Sequence, residues 1–109
     1  MLHKLLFFLV ICCVYSVKAQ NNKEFLVKAY ASKDSSNYYF KKAKKAIKSD
    51  ADEAEYYFCK NAFHTDFGAS DSAIYYGKKA LKKFKDSNNY NSIITLYNNL
   101  SRAYNDKGQ

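Results

Sequence analysis

The chain has 109 residues, room for one small domain at most. Eighteen basic against ten acidic residues give a net charge of +8, and 17% of the residues are aromatic, which excludes a disordered acidic or low-complexity chain. With no proline and only three glycines, breakers are scarce and helix formers abundant.

In chain order, the start is a targeting pattern. Met1-Leu2-His3-Lys4 is a short basic opening, and Leu5 to Val17 is almost unbroken apolar sequence. Val17-Lys18-Ala19 places compact residues where a signal peptidase reads them. The pattern predicts a signal peptide over 1–19 and an exported protein, periplasmic or secreted. The alternative is an uncleaved N-terminal anchor, although the run falls short of the about 20 apolar residues that span a bilayer. Cys12 and Cys13 have no small residue in the position a lipoprotein signal requires, so lipidation is excluded.

Cleavage after Ala19 removes Lys4 and Lys18 and leaves sixteen basic against ten acidic residues, a net charge of +6. Cys59 is then the single remaining cysteine, so no internal disulfide forms and stability must come from packing. An intermolecular disulfide through Cys59 is left open. Residues 20–33 form an N-terminal segment whose Phe25-Leu-Val-Lys-Ala-Tyr30 predicts a short helix.

Beyond it an internal repeat emerges. Asp34 to Lys48 and Asp71 to Lys85 lie 37 residues apart, and nine of their fifteen positions are identical, among them the Asp-Ser start, the Tyr-Tyr pair and the lysines at 41/78, 42/79, 45/82 and 48/85. In the second copy Ala73, Gly77, Ala80, Leu81 and Phe84 recur at helical spacing, with lysines on the other side. In the first, Tyr39, Ala43 and Ile47 form the buried stripe, with Phe40 and Ala46 beside them. Asp50 with Glu53 three residues later predicts a capping box. The helix it opens carries Ala54, Tyr57, Phe58, Ala62 and Phe63 and stops at Gly68. Ser70 or Asp71 caps the next helix. A last helix carries Ile93, Ile94, Leu96, Tyr97, Leu100, Ala103 and Tyr104 and ends at Gly108. Expected helices are 34–48, 53–66, 71–85 and 91–106, with neighbours antiparallel because the connections are short.

Helix pairs recurring at this period resemble the tetratricopeptide repeat family. The last helix carries the resemblance best, as Tyr97-Asn-Asn-Leu100-Ser101-Arg-Ala-Tyr104, with Ser101 in the place of the family's glycine. The preceding unit has Tyr57 in the aromatic place, Gly68 at the turn and Ala73 as the small packing residue. It departs at Lys60, His64 and Gly77, where leucine, tyrosine and an aromatic are expected, and the closing proline is absent. The resemblance covers residues 34–109 and implies an all-α fold of antiparallel helix pairs stacked as a short solenoid. It also implies a concave groove for another protein or peptide, lined by the first helix of each pair. Carried onto this chain, the groove positions are Glu55, Phe58, Ala62, Thr65 and Asp66, then Thr95, Asn98, Arg102, Asn105 and Asp106. Because Gly108-Gln109 falls where a further second helix would begin, the resemblance also suggests a fragment of a longer protein.

No residue set points to catalysis, and no cofactor is implied. His64 is the only histidine left after cleavage, so a histidine-based metal cluster cannot assemble. His64 is expected to pack at the repeat interface and Cys59 to be a half-buried, unreactive thiol. Asp50, Asp52, Glu53 and Glu55 suit a helix N-terminus. The lysines are expected on solvated helix faces, with no nucleic-acid partner and no specific membrane binding beyond the signal segment. The expected function is a protein–protein interaction module rather than an enzyme. The alternative is the N-terminal sensory region of a membrane-bound sensor kinase or transcription regulator whose effector part lies beyond Gln109.

Overall fold

A computed structural model describes residues 22–108, so the expected signal peptide and its cleavage site lie outside the described residues. The described chain is all-helical. Residues 22–31 form α1, followed by α2 (Ser36–Lys45), α3 (Asp50–Asp66), α4 (Ser70–Phe84) and α5 (Tyr90–Asp106).

The helix boundaries follow from capping chemistry. Ser49, not Asp50, caps α3: its side chain accepts from the Asp52 amide, and Asp52 Oδ2 accepts in return from the Lys48 amide at 3.0 Å. The cap is therefore one residue earlier than the expected Asp50, the return bond reaches the Lys48 amide rather than that of the cap residue, and the helix starts at Asp50 rather than 53. Asn89 caps α5 by accepting from the Ser92 amide. On α4 neither Ser70 nor Asp71 caps. The N-cap is Ala69, whose side chain offers no acceptor. Gly68 and Gly108 close α3 and α5 at φ 75° and 79°, a left-handed conformation that costs an L-residue about 1 kcal/mol or more. α2 is shorter than expected because its last turn unwinds at Ala46.

Two cores lie along the stack. Leu26 and Ala29 of α1, Phe40 and Ala43 of α2, and Tyr56 and Phe63 of α3 form the first. Ala54 of α3, Ala80 and Phe84 of α4, and Leu96 of α5 form the second. Tyr57 packs on both and joins them. Phe40 meets Tyr56 and Phe63 edge-on at 6.2 and 5.4 Å, a geometry worth about 0.5–1.5 kcal/mol per pair beyond burial. Leu96 is fully buried and contributes about 2 kcal/mol through burial alone.

Neighbouring helices are antiparallel: Glu53, Tyr57 and Asn61 of α3 meet Lys83, Tyr76 and Ala73 of α4 in reverse order. α3 touches both α4 and α5. The 37-residue repeat is visible in the packing. Ser36/Ala73, Phe40/Gly77 and Ala43/Ala80 are buried in both copies, whereas Tyr38/Tyr75, Lys41/Lys78, Lys42/Lys79 and Lys45/Lys82 are exposed in both. The swap of Phe40 for Gly77 is compensated in volume. A Cβ on Gly77 would stand 2.8 Å from both Asn61 Nδ2 and Leu100 Cδ2, so the space that Phe40 fills in one repeat is taken by neighbouring helices in the other.

Candidate functional site

An apolar groove lies between α1 and α3. Lys23, Leu26, Val27, Tyr30 and Ala31 line it from α1, with Glu55 and Cys59 from α3. The α1 residues recur at three-and-four spacing, so one helical stripe supplies one wall. Glu55 and Cys59 stand one turn apart and supply the other. The groove has a volume of about 540 Å³ and an almost wholly apolar lining. Val27 is 69% exposed within it. Lys23 and Glu55 place opposite charges on its margin.

Tyr30 fixes the relation between the two walls. Its ring meets Phe63 edge-on at 6.2 Å, and its hydroxyl donates to Asp66 Oδ2 at the end of α3. Cys59 is free and half-buried. Burial, and secondarily Glu55, push its thiol up to about 11, so it is neutral and a poor nucleophile at physiological pH.

The residues expected to line a groove divide into three groups. Glu55 lines it, Ala62 is half-buried on α3, and Asp66 is exposed and held by Tyr30. Phe58 and Thr65 do not front it. Phe58 is half-buried and meets Phe84 edge-on at 6.1 Å, which makes it part of the second core. Thr65 is only 6% exposed, and its hydroxyl donates to the Asn61 carbonyl at 2.7 Å. Thr95, Asn98, Arg102, Asn105 and Asp106 are exposed along α5, and Thr95 donates back to the Asn91 carbonyl. None of these α5 residues lines the α1–α3 groove.

Sequence reasoning missed the α1 wall. The signal was present in the apolar Phe25-Leu26-Val27 and in Tyr30, but the solenoid pattern was anchored from residue 34 onward. Asn61 was missed as well. It is fully buried; its Nδ2 donates to the Ala73 carbonyl at 2.8 Å and its Oδ1 accepts from Asn99 Nδ2 at 2.9 Å. One side chain therefore joins α3, α4 and α5.

On the other side of α3, Lys60 directs its ammonium at two rings, Phe40 of α2 at 4.7 Å and Tyr76 of α4 at 4.8 Å. Burial and the charge of Lys44 lower its proton affinity. His64 stacks on Tyr76 at 5.6 Å with the planes 10° apart, and burial and then Lys60 disfavour its protonation. Among the described residues, no group of three or more histidine, cysteine or acidic side chains is placed to hold a metal ion, and no helix is long and apolar enough to cross a membrane.

No family model matches the chain, and neither a curated protein nor a solved structure matches it.

Proposed function

We propose that this chain is an exported, tetratricopeptide-like module that binds an extended segment of another protein. The observation that carries the reading is the open apolar groove between α1 and α3, with Lys23 and Glu55 among its lining residues. An exposed apolar cleft of this kind loses unfavourable hydration when a partner's apolar side chain enters it. The opposite charges on its margin can engage peptide ends or polar side chains and set the peptide direction. The antiparallel helix order, the contact of α3 with both α4 and α5, and the 37-residue recurrence of burial agree with a repeat solenoid. The neutral Cys59 thiol suits a binding surface better than nucleophilic chemistry.

The test is selection of random peptides against the purified protein, followed by titration of the selected peptides. Enriched peptides should share a large apolar residue. Val27→Asp should weaken them by about tenfold or more, as truncated or charged anchors do, while Arg102→Ala on α5 should leave them within about twofold. Peptides that bind Val27→Asp as well as the parent protein would sink the reading.

A further inference from the structure

We propose that the outer face built by α2 and α4 docks on an anionic phospholipid bilayer. The face is duplicated by the repeat. Tyr38, Lys41 and Lys45 project from α2 on the side opposite its buried Phe40 and Ala43, and Tyr75, Lys78 and Lys82 project from the matching positions of α4. Both helices pack beside α3, since the Lys60 ammonium lies against one ring from each. The six projecting side chains are all exposed to solvent.

The positive charge there is largely uncompensated. Helix α2 contains no acidic residue, and the single one on α4, Asp71, is paired with Lys107 at 2.6 Å. Among the described residues, Lys83 is the only lysine of these two helices in an ion pair, with Glu53 at 3.0 Å. Lys44 adds further positive charge on α2, and Lys60 adds it behind this layer, its proton affinity lowered by burial and then by Lys44. Each lysine held near an anionic leaflet contributes about 1 kcal/mol, so several acting together give measurable binding without deep insertion.

The aromatic residues specify the kind of anion. Tyr38 is 57% exposed and Tyr75 53%, and such amphipathic rings favour the headgroup level of a bilayer. One face of each ring is already occupied by a lysine, Lys42 over Tyr38 at 5.1 Å and Lys79 over Tyr75 at 5.0 Å, which leaves less ring surface for stacking bases. The chain's one arginine, Arg102, is on α5, so this face lacks the forked donors suited to bidentate reading of phosphates or bases. A spread layer of lysines and tyrosines matches a laterally extended charged surface better than a nucleic-acid strand.

The test is sedimentation of the full chain with vesicles of phosphatidylcholine alone or containing about one third phosphatidylglycerol, at low and high salt. The parent protein is compared with a Lys41→Glu, Lys45→Glu, Lys78→Glu, Lys82→Glu variant. Any insertion of the apolar Leu5–Val17 run, with its flanking Lys4 and Lys18, is common to both proteins, so the readout is the change between parent and variant in the ratio of binding to the two vesicle types. The parent ratio should be about tenfold or more and collapse at high salt, and the variant ratio should fall several-fold below it. Far-UV circular dichroism checks the variant's helicity, and the corresponding Lys→Gln variant serves if charge reversal unfolds the chain. A parent that does not distinguish the lipids, or a folded variant that keeps the parental ratio, would overturn the proposal. So would tighter binding to a single-stranded oligonucleotide than to the anionic vesicles.

Discussion

Asn61 and Asn99 join side chain to side chain at 2.9 Å across 38 residues of sequence, and the same Asn61 amide donates to the Ala73 carbonyl on the intervening helix. A fully buried amide with both ends satisfied fixes the registers of α3, α4 and α5 together, because a slip of any one helix would leave a buried polar group unpaired. Asn61→Ala would lose both bonds and open a void. A destabilisation of about 2–3 kcal/mol is expected, read from urea unfolding of the parent and the variant. Asn99→Ala, at a half-exposed position, should cost about 1 kcal/mol.

Gly77 sets two effects against each other. Alanine is the better helix former by about 1 kcal/mol. The new methyl would, however, stand 2.8 Å from Asn61 Nδ2 and from Leu100 Cδ2, both on buried residues with little room to move. Overpacking costs about 1–3 kcal/mol, so Gly77→Ala should be net destabilising. Gly68→Ala meets open space and should lose only the about 1 kcal/mol tied to its φ of 75°. Thermal melts should show Gly77→Ala below the parent, and a double mutant with Asn61→Ala, which removes one of the two close contacts, should recover part of the loss.

His64 gives the stability a pH dependence of definite sign. Burial against Tyr76, with Lys60 one turn away, lowers its proton affinity below the ordinary 6.5. The unfolded chain then takes up the proton more readily than the folded one, so this contribution is present above pH 6.5 and is lost as the pH falls toward the folded value. Melting temperature should drop between about pH 7 and pH 5.5, before carboxylates dominate, and His64→Gln should flatten that slope. An unchanged slope in the variant would assign the dependence to another group.

Cys59 should react slowly. Its thiol is half-buried and neutral, held up at about 11 by burial and Glu55. Alkylation of the Cys59 peptide by iodoacetamide, followed by mass spectrometry at neutral pH, should be about tenfold slower in the native protein than in urea. A groove-binding peptide should slow it further, because Cys59 lines the groove.

The sequence by itself determined the helices and much of their inner faces. Glycine, capping residues and three-and-four spacing act within a few residues, so Gly68 and Gly108 end helices at positive φ, and Ala73, Gly77, Ala80 and Phe84 are buried together on α4. The match between the two copies was legible for the same reason, since equal residues at equal spacing face equal ways. Only the tertiary structure decided which of several apolar stripes is covered. On α5, Leu96, Leu100 and Ala103 are buried while Ile94 and Tyr97 remain exposed, although all share the same apolar pattern. Phe58 turned inward because the core shared by α4 and α5 lies against it, and Thr65 is buried with its hydroxyl on the Asn61 carbonyl. The apolar groove formed between α1 and α3, the Ser49 cap displaced the Asp50 box by one residue, and Asn61 became the buried junction of three helices. Each of these depends on partners 12 to 38 residues away or on a competition between adjacent caps, and local periodicity carries no record of which neighbour arrives.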